Sequence, residues 1–417
     1  MALGADVLVV GGGLAGLTAA LAAARTGADV RLVSHRRSTL RSASGLVDVL
    51  GYAPDGSLVA DPFARLDDLP AGHPYERAGA DAVREGLALF DDVTDYRGGH
   101  TDRNALVPTH GGTVKPTARY PPGAAAGLAS DGRDALFVGF ETLLDLDAPA
   151  AADHLAAAGV PFAPTGATVD FPADIAADAE PTRYARLLDE SVDGGDDRVA
   201  ALAERVRPHL DGAERVGFPA VLGDERHDAV RRRLSDALGA DAFEVPMGPP
   251  SLPGLRLESQ LFDALDRAGA GVETGNPVVG YEADGDRVEA LAVERAHTEV
   301  PVHCEQVVLA TGGLVGRGVE TDRDGAREPL FGLYVPHPAD RYDWFADDPF
   351  GDHAFARFGL DVDRELRPRD ADGSVAFANL RAAGGVLGGA DAAAEKSGGG
   401  TALATGYAAG RAAGEAV

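Results

Sequence analysis

Cysteine is almost absent from this chain of 417 residues, which contains only Cys304. One cysteine cannot form a disulfide within the chain. It also cannot supply the several thiolates that an iron–sulfur cluster or a thiolate zinc site needs. The histidines do not form an HExxH pair. We therefore expect no metal site in this chain, and any iron–sulfur chemistry connected with it would have to lie on another subunit.

Positive charge is also scarce, because lysine occurs only at Lys115 and Lys396 and the formal net charge is -28. So acidic a chain is a poor direct partner for nucleic acid or anionic lipid. The acidic residues are spread along the whole sequence and do not form a tail. This pattern favours a halophilic protein, since concentrated salt screens the repulsion between its carboxylates.

Long hydrophobic runs are missing as well. No stretch approaches the roughly 20 apolar residues that a membrane-spanning helix needs. No basic segment precedes the first apolar run, so we expect no signal peptide. The expectation is a cytoplasmic protein without a membrane span, in which any contact with the inner face of the membrane is made through a partner protein.

A glycine turn near the start of the chain is the most informative feature that is present. The apolar run Val7–Val10 predicts a buried parallel strand. Gly11 permits a tight turn after it, Gly13 allows a phosphate to approach the backbone, and Gly16 allows the next helix to pack closely. A second apolar run at 29–33 completes a strand–helix–strand unit. This pattern predicts a dinucleotide-binding turn, and a glycine turn without a ligand is the alternative.

The end of the second predicted strand lacks the acidic residue that usually accepts hydrogen bonds from a ribose. Ser34 occupies that position, and Arg36 and Arg37 follow it. Three interpretations are open: a ligand phosphate bound by the arginines, a ribose bound by Ser34 in an FAD site, or a ligand without an adenosine half, such as FMN. The sequence alone does not choose among them.

Further small residues predict the remaining contacts to a flavin. Ser42, Ser44 and Gly45 belong to a polar segment that can wrap around a flat ring, although an ordinary polar loop is the alternative. Thr311 and Gly312 form a turn at the end of a buried strand. The C-terminal part adds predicted cofactor-binding positions at Gly384, Gly388, Gly389, Gly398, Gly399, Gly400 and Thr401. The last of these feed a helix start, where N–H groups and the helix dipole favour an electron-rich acceptor such as the flavin pyrimidine.

Two residues are candidates for catalysis. Lys396 precedes the last glycines and could neutralise a reduced flavin or bind an anionic substrate. His110 lies in a loop rich in glycine and proline, residues 104–120, that could bind a small phosphorylated substrate with the imidazole as a base. A solvated surface lysine and a structural histidine are the alternatives.

These segments predict an α/β protein with a Rossmann-like flavin- or dinucleotide-binding core that is discontinuous in sequence. The predicted core comprises residues 1–60, 250–319 and 376–417. Residues 61–249 have their own alternation of strands and helices and predict an inserted α/β cap or substrate-side domain. Residues 320–375 are expected to form a smaller acidic insertion.

The chain resembles flavoproteins of the fumarate reductase and succinate dehydrogenase type, and more closely the B-subunit family of anaerobic glycerol-3-phosphate dehydrogenase. The resemblance lies in segments spread over nearly the whole length. They are Gly-Gly-Gly-Leu-Ala-Gly-Leu at 11–17, Ser-Ala-Ser-Gly-Leu-Val-Asp at 42–48, Pro-Pro-Ser-Leu-Pro-Gly at 249–254, Ala-Ala-Gly-Gly-Val-Leu-Gly-Gly at 382–389 and Glu-Lys-Ser-Gly-Gly-Gly at 395–400.

The resemblance implies one component of a heterotrimeric oxidoreductase of glycerol metabolism and anaerobic respiration. That enzyme would oxidise sn-glycerol 3-phosphate to dihydroxyacetone phosphate. Electron transfer would run to quinone through a membrane-associated iron–sulfur subunit. The family implies FMN in this chain, and an FAD-containing catalytic subunit as its partner. The broader flavoprotein group has a substrate-contacting arginine before its last glycine turn, where this chain has Lys396.

Two other functions compete with that one. The chain could be a self-sufficient FAD-dependent dehydrogenase or reductase of a small anionic substrate. It could also be a non-redox assembly subunit, which carries no redox cofactor and only positions a catalytic partner. Substrate-dependent bleaching of a flavin by the isolated chain would indicate the first, and a colourless chain would indicate the second.

Overall fold

The computed structural model describes residues 3–177 and 179–417. They form two compact units. The first contains the residues up to Thr39 together with Asp48–Thr94 and Ser259–Val417. The second contains Leu40–Val47 and Asp95–Glu258.

The strands are β1 Leu3–Val10, β2 Val30–Ser34, β3 Ala105–Pro108, β4 Val114–Thr117, β5 Ala135–Phe140, β6 Pro164–Val169, β7 Arg215–Pro219, β8 Asp241–Val245, β9 Gly271–Thr274, β10 Val278–Asp284, β11 Arg287–Arg295, β12 Thr298–Leu309, β13 Glu320–Thr321, β14 Ala326–Arg327 and β15 Leu380–Ala382. The α-helices are α1 Leu14–Ala24, α2 Pro74–Ala78, α3 Ala80–Val93, α4 Ala148–Ala157, α5 Pro181–Val192, α6 Arg198–Val206, α7 His227–Leu238, α8 Leu252–Arg267, α9 Ala392–Glu395 and α10 Gly398–Gly414.

The main sheet of the first unit has the strand order β10-β11-β12-β1-β2-β9, and β15 pairs with the C-terminal half of β12. β1 is parallel to both of its neighbours, β12 and β2. Its residues Val7–Val10 are buried, as a strand covered on both faces requires. Strands β10 and β11 form the antiparallel hairpin that Asp284-Gly285 predicts, with Gly285 at φ 58°.

Helix α10 packs on α1 through small residues. A Cβ on Gly410 would lie 2.1 Å from the carbonyl oxygen of Ala19, and a Cβ on Gly406 would lie 2.5 Å from that of Ala15. Helix α3 also approaches α10 closely, since a Cβ on Gly86 of α3 would lie 2.6 Å from the Leu403 carbonyl oxygen of α10. The alanine and glycine pattern at the C-terminus therefore specifies close helix packing.

The second unit is built on a parallel sheet of order β6-β5-β7-β8. All residues of its central strand β5 are buried. The side chains of Leu136, Val138 and Phe140 join a hydrophobic core with Tyr184 of α5. Strands and helices thus alternate within this unit.

The limits of the two units differ from the predicted domain limits. Residues 61–94, predicted as part of the insertion, group with the first unit, because α2 and α3 pack with α10. Residues 320–375 also group with the first unit, whereas 40–47 group with the second. These groupings arise from contacts between segments far apart in sequence, which local patterns do not encode.

Some element boundaries also differ from the sequence pattern. The prolines and the glycine at 249–254 are typical of a rigid loop, but helix α8 already begins at Leu252. It begins there because the Ser251 hydroxyl caps it by accepting the Gly254 N–H at 3.2 Å. Helix α7 begins at His227, although the sequence pattern predicts a helix from Asp224 to Leu238. The carboxylate of Asp189 accepts the N–H groups of the three residues before it, which keeps them in a turn.

Candidate functional site

The turn between β1 and α1 has the geometry that its glycines predict. Gly11 has φ 120°, and a Cβ there would lie 2.2 Å from the Ala310 carbonyl oxygen. A Cβ on Gly16 would lie 1.9 Å from the Gly11 carbonyl oxygen. The backbone itself therefore demands glycine at both positions, whether or not a ligand is bound.

Gly13 is different, because the packing of the chain does not demand a glycine there. It is the N-cap of α1 at φ -78°, and no side chain caps this helix start. The nearest atom to a Cβ at this position would be Thr39 Oγ1 at 3.5 Å, which is an ordinary contact. The space left by the missing side chain lies at a helix N-terminus whose first N–H groups lack helical partners. Such unpaired donors at a helix N-terminus suit an anion such as a phosphate.

Ser34 has a structural role that the sequence does not reveal. Its Oγ accepts the Gly12 N–H at 3.1 Å and donates to the Arg36 carbonyl oxygen at 2.6 Å. The hydroxyl thus closes the glycine turn, and its proton is already used, so towards a ribose it could only accept. The side chain of Arg36 is exposed at the same strand end, as is that of Arg37.

A second glycine turn follows β12 in the same unit. β12 lies beside β1, and the Ala310 N–H donates to the Val10 carbonyl oxygen at 2.8 Å. Gly312 has φ 82°. The buried Oγ1 of Thr311 has no hydrogen-bond partner among the described residues. An unsatisfied buried hydroxyl at the carboxyl end of a parallel strand is what a bound polar ligand would satisfy.

The predicted glycines after β15 lie in a tight turn or where two backbone segments of the first unit approach each other closely. Gly384 has φ 74°, and its N–H donates to Thr405 Oγ1 at 2.8 Å. A Cβ on Gly388 would lie 2.8 Å from the Gly359 carbonyl oxygen, and one on Gly389 would lie 2.6 Å from that of Gly72. These contacts account for the glycines without a ligand, and their part in cofactor binding stays a prediction.

The glycines at 398–400 form the first turn of α10. The N–H of Gly400 donates to the Asp48 carbonyl oxygen at 2.6 Å. A Cβ on Gly400 would lie 2.3 Å from the Tyr75 hydroxyl, so this glycine is required by packing. Thr401, buried in the first turn, donates its N–H to the Ser397 carbonyl oxygen at 2.9 Å.

Lys396 lies in the left-handed conformation at φ 52° between α9 and α10. Its Nζ donates to the Ala393 carbonyl oxygen at 2.6 Å, so the ammonium group caps the C-terminus of α9. This local contact explains a positive charge at that position. A role for Lys396 in the reaction stays a prediction.

Ser42, Ser44 and Gly45 belong to the second unit. Ser42 ends a 3-10 turn, Thr39–Ser42, and Ser44 Oγ accepts the Leu46 N–H at 3.4 Å. Gly45 has φ 79°, and a Cβ there would lie 2.4 Å from the Cβ of Pro253. Gly45 and Pro253, which come from two segments of the resemblance, therefore pack against each other within this unit.

His110 also belongs to the second unit and is half-buried. Its backbone N–H donates to the Pro246 carbonyl oxygen at 3.1 Å, and its ring nitrogen Nδ1 lies 3.3 Å from the same oxygen. A ring nitrogen beside a carbonyl oxygen must carry the proton, so Nε2 is the nitrogen that can accept one. That tautomer suits a general base, although the catalytic role stays a prediction.

Sequence reasoning missed a buried ion pair in the second unit. Glu244 accepts from Arg256 Nη1 at 2.7 Å and Nη2 at 3.0 Å, and from the Leu222 N–H at 3.0 Å. Burial alone would raise the pKa of Glu244, but Arg256 and the Leu222 N–H hold that pKa below its ordinary value. The pair connects β8 to the first turn and a half of α8, and no local pattern marks the two residues as partners.

Neither a metal-binding cluster nor a membrane-spanning helix is found in the described part of the chain. Across residues 3–177 and 179–417, no group of three or more histidine, cysteine or acidic side chains is arranged to bind a metal ion. Cys304 is buried, which raises the pKa of its thiol to about 12. In the same described ranges, no helix combines the length and the apolar composition needed to cross a membrane.

Comparison with known proteins identifies the family. A family model described as an FAD binding domain matches residues 6–401. The chain is 59% identical to the probable B subunit of anaerobic glycerol-3-phosphate dehydrogenase from Halobacterium salinarum, over 100% of this chain and 99% of that protein. It is 32% identical to the B subunit of anaerobic glycerol-3-phosphate dehydrogenase from Pectobacterium atrosepticum, over 95% of this chain and 96% of that protein.

Among solved structures, a flavocytochrome c3 fumarate reductase in an open conformation matches 99% of this chain and 78% of its own at 12% identity, with a TM-score of 0.44. A score that low carries no functional information, so the family matches decide the identification. They extend over nearly the whole chain and support a flavin as its cofactor. The chain belongs to the FAD-binding-domain flavoproteins and, within them, to the B-subunit family of anaerobic glycerol-3-phosphate dehydrogenase.

Proposed function

We propose that this chain is the flavin-carrying B subunit of an anaerobic glycerol-3-phosphate dehydrogenase. In that complex it takes part in the oxidation of sn-glycerol 3-phosphate to dihydroxyacetone phosphate. Its partners are an FAD-containing catalytic subunit and a membrane-associated iron–sulfur subunit that passes electrons towards quinone. The observation that carries the proposal is the uncapped start of α1 at Gly13, a glycine that no packing contact requires, in a chain of this family.

The residues proposed to bind the flavin are those of the turns in the first unit. Gly11, Gly13 and Gly16 shape the phosphate site, and Thr311 Oγ1 offers an unsatisfied hydroxyl to the ligand. The start of α10 presents N–H groups and a positive dipole end, which stabilise negative charge on an acceptor placed there.

FMN is the flavin that we propose, with FAD as the alternative. The end of β2 offers no carboxylate to a ribose. Ser34 Oγ already accepts the Gly12 N–H and donates to the Arg36 carbonyl oxygen, so it has only one neutral acceptor position left. An adenosine half would therefore lose the two charged oxygens that usually bind its ribose hydroxyls. The family model is described by FAD, so the mass of the bound flavin decides between the two.

When bound, the flavin supplies hydride acceptance and release of electrons one at a time. The chain's own residues would bind and orient it. Oxidation of a secondary alcohol removes a hydride from carbon and a proton from the hydroxyl oxygen, and that step belongs to the FAD-containing catalytic subunit. His110, whose Nε2 can accept a proton because Nδ1 is held by the Pro246 carbonyl oxygen, stays a sequence-based candidate for catalysis in this chain.

An anaerobic titration tests the proposal. The chain is purified in concentrated potassium chloride, and its flavin absorbance is followed while sn-glycerol 3-phosphate is added, first alone and then with the two partner subunits. We expect a flavin that the substrate reduces only in the assembled complex. Reduction by the isolated chain would indicate a self-sufficient dehydrogenase instead, and a chain that takes up no flavin would indicate a protein that serves assembly only.

A further inference from the structure

A buried cluster of polar side chains lies beside the start of α10 in the first unit. His73 and Ser397 are fully buried, and Tyr75 is nearly so. The carboxylate of Glu395 lies among them with 13% of its side chain exposed. These four residues, which we name the His73 cluster, bring together the start of α2 and the turn between α9 and α10.

The hydrogen bonds of His73 fix the state of its ring. Nδ1 accepts the Tyr75 N–H at 3.1 Å, as the N-cap of α2. A nitrogen that accepts an N–H carries no proton, so in the neutral ring the proton lies on Nε2. Nε2 is 3.1 Å from Glu395 Oε2 and therefore donates to it. One side chain thus caps a helix and binds a carboxylate on a distant segment.

Glu395 connects the whole turn that precedes α10. Its Oε2 also accepts the Ser397 hydroxyl at 2.7 Å, and its Oε1 accepts the Asp391 N–H at 3.0 Å. Its backbone carbonyl oxygen accepts the N–H groups of Gly51 and Tyr52 at 2.8 and 2.9 Å. Burial alone would raise the pKa of Glu395, but the donors from His73 and Ser397 hold that pKa below its ordinary value.

Tyr75 fixes the first turn of α10 from the other side. Its hydroxyl donates to the carbonyl oxygens of Val49 at 2.6 Å and Ser397 at 3.3 Å, and it lies where a Cβ of Gly400 would be. The Gly400 N–H is already bound by Asp48. The N–H groups of Gly398 and Gly399 have no partner within the helix, as at any helix start, and both residues have accessible surface.

We propose that His73 is a positioning residue of the flavin site, which acts through Glu395 to fix the N–H groups at the start of α10. This inference rests on the proposed function, because the flavin is the acceptor for those groups. His73 itself does not touch the ligand. Its contribution is to keep the donors in place before the ligand arrives, which lowers the entropy lost on binding.

Two substitutions separate the positioning role from the capping role. His73→Asn retains an acceptor close to the position of Nδ1, so it can still cap α2, but it cannot reach Glu395. His73→Gln places an amide N–H close to the position of Nε2, so it can still donate to Glu395 while the cap is weakened. A third variant, Ser397→Ala, removes a donor to Glu395 without touching α2.

The first readout is amide hydrogen exchange over residues 397–401 in the flavin-free chain, and the second is the dissociation constant for FMN. We expect His73→Asn to accelerate exchange and to weaken FMN binding by about tenfold or more, the scale of a hydrogen bond to a charged group. His73→Gln should stay within about threefold of the parent chain in both.

Three results would overturn the proposal: unchanged exchange in His73→Asn, exchange in His73→Gln as fast as in His73→Asn, or normal FMN binding despite fast exchange. If neither His73 variant folds, Ser397→Ala decides, since unchanged exchange there contradicts the role of Glu395 and faster exchange with weaker FMN binding supports it. A parent chain that binds no FMN or FAD would remove the flavin function itself, while the exchange data would still report whether His73 holds the turn.

Discussion

At the scale of single residues, the glycines of the first turn serve two different purposes. Gly11 and Gly16 are required by the backbone atoms that approach them, whereas a Cβ on Gly13 would meet Thr39 Oγ1 only at 3.5 Å. The sequence pattern treats all three as one motif. The structure separates the two glycines that the backbone requires from the one that it does not require.

This difference predicts opposite effects for two alanine substitutions. Gly13→Ala should cost only about 0.5 kcal/mol of stability, the preference of an N-cap for glycine over alanine, but should raise the flavin dissociation constant at least about tenfold. Gly16→Ala should cost at least about 2 kcal/mol, because its Cβ would overlap the Gly11 carbonyl oxygen. Urea unfolding and flavin titration of both variants check this. A Gly13→Ala chain with normal flavin affinity would contradict the assigned phosphate site.

Glu244 gives a pH-dependent prediction. Its pKa is lowered in the folded chain, so its contribution to stability is fully present above the ordinary value of 4.5 and is lost as pH falls through the lower folded-state value. Glu244→Gln should cost about 3 to 5 kcal/mol at neutral pH, because it leaves Arg256 buried without a counter-charge. The difference between the two chains should shrink below pH 4.5 when unfolding is measured at constant salt. A difference that does not change with pH would refute this assignment.

At the scale of elements, the parts that follow local rules are predictable from the sequence. Strand β5 and the hairpin of β10 and β11 lie where their apolar runs and turn residues place them. The starts of α7 and α8 differ, because tertiary contacts decide them: Asp189 holds the turn before α7, and Ser251 caps α8. Ser34 and His73 follow the same rule, since each has one partner far along the chain, Gly12 and Glu395 respectively, that no local spacing indicates.

Helix α10 provides a test of close packing. Gly410→Ala should lower stability by about 2 kcal/mol or more although alanine is the better helix former, because its Cβ would lie 2.1 Å from the Ala19 carbonyl oxygen. Ala412→Gly, at a half-buried position of the same helix, is the matched control and should cost only the helix propensity of about 1 kcal/mol. Thermal unfolding of the two variants compares them. A stabilised Gly410→Ala chain would show that α10 and α1 do not pack as described.

At the scale of the whole molecule, charge and family membership could be anticipated from the sequence, but the domain limits could not. Residues 40–47 belong to the second unit, although the residues before them, up to Thr39, and those after them, 48–94, belong to the first. Such a grouping depends on long-range packing, whereas the glycine motifs that mark the family are local. The local motifs were therefore sufficient to recognise the family, whereas the grouping of the segments into units is visible only in the structure.

The net charge of -28 predicts that salt stabilises the chain. At about 1 M salt the Debye length is only about 3 Å, so repulsion between carboxylates across the surface is largely screened. The melting temperature measured by calorimetry should rise steadily with potassium chloride. The titration should use sodium chloride as a second salt, to separate screening from binding of a particular cation. A melting temperature that is constant or falls with both salts would contradict this expectation.

Every functional assignment above depends on a flavin bound to this chain, and the mass of the bound group decides whether one is present. The chain is purified in concentrated salt and denatured, and any released cofactor is identified by its mass. We predict FMN in amounts that approach one per chain, in agreement with a β2 end that offers Ser34 and no carboxylate. Release of FAD would keep the flavin function but refute the FMN assignment. A chain that releases no flavin, and takes up neither FMN nor FAD on reconstitution, would contradict the proposed function.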